Sequence, residues 1–310
     1  MRYFPKKRKS VGLVLAGGGA KGLAHIGVLK ELERADIPVD YIMGVSMGAI
    51  VGAMYAYHQD AATVEKIISE YIFSEQFKRV KFPDVEDPAI TESFWGHFTK
   101  RLKATVVINL AAYKISIEEN VQLVEAVNTF LDPVSTFEEL KIPFGCISTD
   151  LVQGEYHFAN KGDLKQAVVA SASIPGFLPP IVKEDALLVD GAVANNIPVN
   201  LMREIYKPDV LIASAFPTKL DKRTHYDSIY DIAIRSASIN YQHYQELLLD
   251  NADVVIISQV DRYGWQEFTK VKELIGIGER DTQALIEKIK LKIGNKKGLK
   301  QRLTQLMGGR

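Results

Sequence analysis

A serine between two glycines offers this chain a nucleophile. Ser46 lies at the centre of Gly44-Val45-Ser46-Met47-Gly48, a G-x-S-x-G motif that follows an apolar run and precedes a stretch of small residues. A strand that turns sharply into a helix at such a motif presents the serine hydroxyl outward, and the helix N-terminus favours developing negative charge. The pattern therefore predicts a nucleophile for acyl transfer, with a structural turn as the alternative.

The general base that this serine needs has three candidates. A serine hydroxyl is a weak nucleophile unless a base lies within hydrogen-bond reach. Asp190 ends an apolar run at residues 186–189, a placement typical of a catalytic carboxylate at the carboxyl edge of a parallel sheet. A turn-forming Asp-Gly is the alternative interpretation of that residue. A histidine after the acid would instead complete a conventional triad, which leaves His225 and His243.

A glycine-rich loop precedes the first predicted helix. Its sequence is Gly17-Gly18-Gly19-Ala20-Lys21-Gly22. The loop fits G-x-G-x-x-G, which is typical of dinucleotide binding, but that function needs an acidic residue at the end of the second strand. The second strand runs into Ser46 instead. Bare backbone N–H groups beside a serine can also donate hydrogen bonds to the oxyanion of ester hydrolysis, so the loop alone leaves both functions open.

The elements that must position these residues alternate between buried strands and helices. Residues 11–16 and 39–45 are apolar runs that indicate buried strands, and the apolar residues from Leu23 to Leu32 recur at helical spacing. This order predicts a mainly parallel central sheet in a three-layer α/β/α fold. Further strands are predicted at residues 143–149, 186–189, 210–215 and 252–257, and further helices at 49–57 and 164–173.

The stretch from about residue 61 to 137 has a different pattern. Helical segments are broken at Pro83 and Pro88 and are rich in aromatic residues. We interpret this stretch as a helical cap, and ordinary helices that cover the sheet are the alternative. The predicted organisation is a basic N-terminal tail at residues 1–10, an α/β domain at 11–280 and a basic amphipathic C-terminal helix at 281–310.

Three ordered motifs together resemble the patatin-like phospholipase family, and its bacterial members most of all. The motifs are the glycine loop at residues 17–22, the serine motif at 44–48 and Asp190-Gly191-Ala192, and the segment at 170–180 is similar as well. The likeness runs over residues 11–199, with a weaker echo at 274–284. Many members have two glycines where this chain has Gly191-Ala192, but both forms are familiar in the family.

The resemblance implies a lipid acyl hydrolase in which a serine works with an aspartate and without histidine. Ser46 would attack the acyl carbonyl while Asp190 takes its proton, and water activated by Asp190 would then release the acyl group. The backbone N–H groups of residues 18–20 would hold the oxyanion, assisted by the charge of Lys21. The implied partner is a lipid or ester substrate, with no cofactor. A relative that binds lipid without catalysis is the alternative from another class.

Composition limits the remaining classes of function. The chain has 310 residues, of which 47% are hydrophobic and 25% charged, and its 38 basic residues equal its 38 acidic ones. These values are typical of a folded globular protein. No cluster of residues has metal-ligand spacing, and no basic motif indicates nucleic-acid binding. The single cysteine, Cys146, cannot form an internal disulfide, which favours a cytoplasmic location.

Basic residues near both ends favour contact with a membrane surface. Residues 281–310 contain eight basic and two acidic residues with apolar residues between them, a pattern that fits peripheral binding to anionic lipid. A solvated terminal helix is the alternative. The basic run Lys6 to Lys9 precedes an apolar run too short for a secretory signal, and no segment reaches the about 18 to 20 apolar residues of a membrane span. The oligomeric state stays open.

Overall fold

The sheet that carries the predicted motifs has eight strands. The computed structural model describes residues 8–80, 121–217, 220 and 222–294. The strands are β1 (Val11–Leu15), β2 (Tyr41–Val45), β3 (Phe144–Asp150), β4 (Glu155–Ala159), β5 (Ile181–Lys183), β6 (Ala186–Asp190), β7 (Val210–Ala215) and β8 (Val254–Ile257). All six predicted strands are present. Strands β4 and β5 are partly exposed, and no apolar run predicts them.

Strand directions make the sheet mainly parallel, as predicted. Neighbours in the order β3-β2-β1-β7-β8 all run parallel, and most of their residues are buried because both faces are covered. Strands β4 and β6 each pair antiparallel with β3, and β5 pairs antiparallel with β6. The prediction that Asp190 ends a parallel strand is therefore wrong. An apolar run indicates a buried strand but carries no information about its direction.

Helices cover both faces of the sheet, which confirms the three-layer α/β/α fold. They are α1 (Ala24–Arg34), α2 (Met47–His58), α3 (Ala61–Ile72), α4 (Glu75–Lys78), α5 (Val121–Phe130), α6 (Leu164–Ser171), α7 (Val199–Ile205), α8 (Ile229–Leu249), α9 (Val271–Gln283) and α10 (Ile286–Ile293). On β1, Gly12 abuts Met202 of α7, whereas Leu15 abuts Gly52 of α2. Gly12 and Leu15 lie on opposite faces because successive strand residues alternate, so α2 and α7 lie on opposite sides of the sheet.

The first helix has the apolar face that its sequence predicts. Leu23, Ile26, Leu29 and Leu32 are fully buried. A short 3-10 turn at Gly19–Leu23 leads into the helix, and the helix ends where Asp36 adopts a left-handed conformation with φ 52°. The helix packs closely against α9 from the far end of the chain, so the first βαβ unit is completed by residues that are distant in sequence.

The predicted cap is helical in the parts that the structure describes. Helices α3, α4 and α5 all fall within residues 61–137, and α3 contacts both α1 and α2. Residues 81–120 of the predicted cap lie outside the described residues. The interpretation as a cap therefore stays a prediction.

The predicted C-terminal helix corresponds to more than one element. Helix α9 crosses the boundary predicted at residue 280, and α10 follows it. In α10, Ile286 and Ile289 pack into the core, whereas Leu291 is exposed. Residues 1–7 and 295–310 of the two predicted tails lie outside the described residues. Among the helices of the described ranges, none combines the length and the apolar character needed to cross a bilayer.

Candidate active site

Ser46 occupies a sharp turn between β2 and α2. Its backbone has φ 54° and ψ −123°, a combination that non-glycine residues rarely adopt and that persists only where the surroundings enforce it. Ser171, at the end of α6, provides such support, because its hydroxyl accepts the N–H of Ser46 at 3.0 Å and donates to the carbonyl of Ile147 at 2.5 Å. A Cβ on Gly48 would lie 2.2 Å from the carbonyl oxygen of Leu15, so only glycine fits there.

The other residues of the serine motif are buried around the turn. Val45 ends β2, and Met47 begins α2. A Cβ on Gly44 would lie 2.3 Å from the carbonyl oxygen of Gly48. The spacing of the two glycines therefore reflects a direct contact between strand and helix on either side of the serine.

The ends of β2 and β6 meet beside β3, and this arrangement brings Ser46 to Asp190. On β3, Ile147 pairs with Val45, and the next residue, Ser148, pairs with Asp190. Strand β4 occupies the opposite edge of β3 at both positions, so β2 and β6 share one edge and run toward each other. The antiparallel direction of β6 is therefore what points Asp190 at the residue that follows Val45.

Asp190 is fully buried, and its carboxylate is incompletely paired. Oδ1 accepts the N–H of Ala192 at 2.8 Å, while Oδ2 has no partner with hydrogen-bond geometry among the described residues. Burial raises the pKa of Asp190 to about 7, and the Ser46 hydroxyl and the Ala192 N–H oppose that rise. A carboxyl group that titrates near neutrality beside a serine hydroxyl is suited to proton exchange with it.

The backbone around Asp190 is fixed by neighbouring side chains and strands. The Thr149 hydroxyl donates to the carbonyl of Asp190 at 3.0 Å and accepts the N–H of Ala194 at 3.2 Å. A Cβ on Gly191 would lie 2.2 Å from the carbonyl oxygen of Ile147. The chain after the acid is therefore held close against β3.

The glycine loop lies against the serine. A Cβ on Gly17 would be 3.1 Å from the Cβ of Ser46 and 2.7 Å from Oδ1 of Asn196. The N–H of Gly17 donates to that same Oδ1 at 2.8 Å, and Nδ2 of Asn196 donates to the Gly17 carbonyl at 3.4 Å. One side chain thus holds both polar groups of Gly17.

The far side of the loop contacts the backbone of Trp265. The N–H of Ala20 donates to the Trp265 carbonyl at 2.7 Å, so this N–H is occupied and not available to an oxyanion. Gly19 has φ 58°, and a Cβ there would lie 2.5 Å from the same carbonyl oxygen. The N–H groups of Gly18 and Gly19 donate to no protein group within the described ranges.

Lys21 and Gly22 complete the loop. Burial lowers the pKa of Lys21, and the charges of Asp261 and Glu267 oppose that effect. A Cβ on Gly22 would lie 2.5 Å from Cγ of Met47. Gly22 therefore lets the loop approach the start of α2, while the charge of Lys21 is partly balanced by acids.

His25 is a buried structural residue below the loop. Its Nε2 lies 2.8 Å from the carbonyl oxygen of Ala16, and its Nδ1 lies 2.8 Å from the hydroxyl of Ser214. A carbonyl only accepts, so Nε2 carries the proton and Nδ1 accepts from the serine. Burial lowers the pKa of His25 to about 4. The neutral ring therefore joins the ends of β1 and β7.

An apolar cavity of about 240 Å³ borders Ser46. Its described lining has no charged side chain. Aromatic rings of Tyr71, Phe77, Phe130 and Phe268 pack edge to face along one side. The remaining lining residues are Gly19, Leu23, Met47, Ile50, Ile68, Ile72, Val80, Gln122, Leu123, Ala126, Ala172, Ile174, Phe177, Leu178 and Trp265. Such a cavity suits an apolar chain held next to the serine hydroxyl.

The two histidines of the triad alternative lie on the surface. The side chains of His225 and His243 are 86% and 68% exposed, and they face Asp227 at 3.2 Å and Glu246 at 3.5 Å. Neither histidine is bonded to Ser46. The structure therefore brings together the serine, Asp190 and the glycine loop, and it places the triad candidates elsewhere.

Three residues of the site could not be identified from the sequence. Ser171 and Asn196 follow no motif with a known chemical role, although Ser171 falls in the segment at 170–180 and Asn196 comes six residues after Asp190. Trp265 has no local signal, because its contact with Ala20 is made only by the folded chain.

Comparisons with known proteins identify the family to which this chain is similar. The family model for patatin-like phospholipases matches residues 13–203. Neuropathy target esterase sws of Drosophila melanogaster is 33% identical over 199 residues, which cover 63% of this chain and 12% of the fly protein. Lysophospholipase NTE1 of Coccidioides immitis (strain RS) is 33% identical over 205 residues, which cover 66% of this chain and 11% of that protein. Human patatin-like phospholipase domain-containing protein 6 is 31% identical over 223 residues, which cover 71% of this chain and 14% of the human protein. The chain thus spans only 11 to 14% of these relatives' lengths.

Solved structures are similar at lower identity. VipD from Legionella pneumophila matches with a TM-score of 0.47 and 13% identity, over 93% of this chain and 72% of that one. The ExoU-SpcU complex of the Pseudomonas aeruginosa type III secretion system contains a chain that matches with a TM-score of 0.43 and 14% identity. The match covers 93% of this chain and 52% of that one. Because the family model covers more than half of its residues, this chain belongs to the patatin-like phospholipase family.

Proposed function

We propose that this chain is a serine lipid acyl hydrolase in which Ser46 is the nucleophile and Asp190 the general base. The observation that carries the proposal is the buried carboxylate of Asp190 beside the Ser46 hydroxyl at the wall of an apolar cavity. Both groups that the reaction needs are present, and neither triad histidine is near them.

The proposed reaction proceeds through an acyl-enzyme. Ser46 Oγ attacks the acyl carbonyl while Asp190 takes the hydroxyl proton, and the resulting oxyanion accepts hydrogen bonds from the N–H groups of Gly18 and Gly19. Asp190 then gives the proton to the departing alcohol as the ester bond breaks. Water attacks the acyl-enzyme while Asp190 takes its proton. As the second tetrahedral intermediate collapses, the bond from Ser46 Oγ to the acyl carbon breaks, Asp190 returns the proton to Oγ, and the fatty acid is released.

The cavity supports a lipid as the substrate class. Its apolar lining can bury an acyl chain, and each buried CH₂ contributes about 0.8 kcal/mol. One relative is named a lysophospholipase and another a patatin-like phospholipase domain-containing protein. We therefore propose phospholipids or lysophospholipids as substrates, with the helices of residues 61–137 as the cap that covers the acyl chain.

A peripheral membrane contact through the basic C-terminal region fits this substrate. In α10 the apolar residues Ile286 and Ile289 are buried, while Lys288 and Lys292 are exposed. Lys9 binds the carbonyl of Lys292 at 2.8 Å just before β1 begins, which places this end of α10 at the amino edge of the sheet. Ser46 lies at the carboxyl edge, so the proposed contact, made by basic side chains, would lie away from the cavity.

Hydrolysis of p-nitrophenyl butyrate and of lysophosphatidylcholine tests the proposal. We expect Ser46→Ala to reduce kcat by about 10⁴-fold or more and Asp190→Asn by about 10² to 10⁴-fold. The double variant His225→Ala/His243→Ala is the matched control and should keep wild-type rates. Inactivity of that control with an intact fold would establish a triad instead, and a wild type inert on both esters would favour a lipid-binding relative.

A further inference from the structure

Asn196 joins the glycine loop to the chain segment that carries the acid. Its Oδ1 accepts the N–H of Gly17 at 2.8 Å, and its Nδ2 donates to the carbonyl of Gly17 at 3.4 Å. The side chain is only 8% exposed, so these bonds are shielded from competing water. A Cβ on Gly17 would overlap Oδ1 at 2.7 Å. Only a glycine at residue 17 therefore leaves room for the Asn196 amide.

A second buried amide supports the first. Gln245 of α8 is fully buried, and its Oε1 accepts a hydrogen bond from Nδ2 of Asn196 at 3.3 Å. Nε2 of Gln245 has no partner among the described residues. Burial of an amide with one unpaired donor costs free energy, so a purely structural role would be served better by an apolar side chain. The bond to Gln245 holds Nδ2 of Asn196 in place and so leaves Oδ1 to accept the Gly17 N–H.

The contact between Gly17 and Asn196 lies between the N–H groups proposed for the oxyanion and the proposed base. Gly17 precedes Gly18 and Gly19, whose N–H groups are unpaired within the described ranges, and Asn196 follows Asp190 by one short turn at Gly191–Val193. We propose that Asn196 is a positioning residue, supported by Gln245, that holds the glycine loop at the distance from Ser46 at which its N–H groups reach the oxyanion. This inference rests on the proposed hydrolase function.

The chain offers a matched control for this residue. Asn195 is the same residue type, is 6% exposed, and its Oδ1 has no hydrogen-bond partner among the described residues. The comparison is therefore Asn196→Ala against Asn195→Ala in the full chain. Gln245→Met is a second variant that keeps volume in the core and removes only the support of Asn196. Steady-state hydrolysis of p-nitrophenyl butyrate and amide hydrogen exchange of the peptide that spans Gly17 are measured for each.

The expected result separates binding from transition-state stabilisation. Asn196→Ala should reduce kcat by about 10 to 100-fold, because displacement of a catalytic donor by about 1 Å can cost 10²-fold, and KM should change less than about twofold. The acid limb of the pH profile should stay in place, since Asp190 is untouched. Exchange at Gly17 should rise at least about tenfold, Gln245→Met should show a smaller change of both kinds, and Asn195→Ala should match wild type.

Other outcomes overturn the inference in distinguishable ways. Equal loss of kcat in the Asn195 and Asn196 variants, or a shifted acid limb, would show a general disturbance of the segment after Asp190. Unchanged exchange at Gly17 in Asn196→Ala would show that the amide does not hold the loop, whatever the activity. Faster exchange with unchanged kcat would show that the held position is irrelevant to catalysis. Hydrolysis that persists in Ser46→Ala would refute the proposed function itself, while the exchange data would still decide whether Asn196 holds the glycine loop.

Discussion

The carboxyl group of Asp190 is buried at a cost that a structural residue would not need to bear. A hydrophobic neighbourhood disfavours the charged form of an acid, and here burial raises the pKa of Asp190 to about 7. Its Oδ2 accepts no hydrogen bond of good geometry from the described residues, and the neighbouring Ser46 hydroxyl offsets the rise in pKa only in part. A base with a pKa near the working pH combines a useful ionised fraction with proton affinity.

The first prediction concerns the pH dependence of activity. In the proposed mechanism only the ionised carboxylate of Asp190 accepts the Ser46 proton, so kcat/KM on an uncharged ester should rise as pH increases through about 7 and then level off. We expect the residual activity of Asp190→Asn to lack this limb. Initial rates with p-nitrophenyl butyrate from pH 5 to 9 measure it, after correction for the uncatalysed reaction. A profile that stays flat from pH 5 to 9 would indicate a solvated acid with an ordinary pKa instead.

The same residue predicts a stability difference with a definite sign. The folded pKa of Asp190 lies above the unfolded value of 3.8, so its favourable contribution is complete below about pH 4 and is lost as pH rises through about 7. Asp190→Asn lacks this loss. The free energy of unfolding of Asp190→Asn minus that of the wild type should therefore increase by up to about 4 kcal/mol between pH 4 and pH 8. Urea denaturation at the two pH values tests this, and a constant difference would contradict it.

At the scale of elements, the contact between α1 and α9 depends on two glycines. A Cβ on Gly27 of α1 would lie 2.0 Å from the carbonyl oxygen of Ile275, and a Cβ on Gly278 of α9 would lie 2.0 Å from that of Ala24. Backbone atoms cannot move aside as the end of a side chain can. The two helices are therefore packed backbone to backbone, and α1 in turn positions the glycine loop that precedes it.

Helix α9 contains its own control for a substitution at this contact. Gly278→Ala should destabilise the fold by about 1 to 3 kcal/mol or more, because the added methyl group forces the helices apart. Gly276→Ala on the same helix meets no atom within 4 Å, and it should stabilise the helix by about 0.5 to 1 kcal/mol. Thermal and urea unfolding of both variants measure the contrast. Equal effects of the two substitutions would refute the close packing.

Individual elements were predictable to different degrees. The apolar runs predict the parallel strands because a strand buried on both faces is apolar throughout. The 3.6-residue spacing predicts α1 because burial on one face of a helix leaves a periodic trace in the sequence. The direction of β6 leaves no such trace. It follows from the pairing of Ser148 with Asp190 beyond the end of β2, which is a property of the assembled sheet.

At the scale of the whole molecule, the cavity is built from segments that are far apart in sequence. Met47 and Ile50 come from α2, Ile68 and Tyr71 from α3, and other walls come from α5 and from the region of Trp265. Ser46 and Asp190, which we propose as nucleophile and base, are singled out by motifs, since chemistry restricts residue type at such positions. The cavity walls could not be predicted, because any apolar side chain of suitable size serves there.

The cavity predicts a preference for acyl-chain length. Ala126 of α5 lines the cavity, whereas Val124 on the same helix is exposed. Ala126→Phe should fill part of the space, and each methylene that is excluded should reduce kcat/KM for long-chain esters about fourfold, from about 0.8 kcal/mol per CH₂. Rates for p-nitrophenyl esters from C2 to C12 measure the effect. Val124→Phe is the control, and equal loss at all lengths in Ala126→Phe would argue against chain binding.

The end-to-end meeting of β2 and β6 also has a consequence for protein synthesis. Ser46 leaves the ribosome long before Asp190, and the two strands become neighbours only when β6 pairs with β3. In the proposed mechanism a nascent chain therefore carries an ordinary alcohol at residue 46. Hydrolytic activity would begin only as the sheet is completed, so the lipids of the producing cell would be exposed to the finished enzyme and not to its folding intermediates.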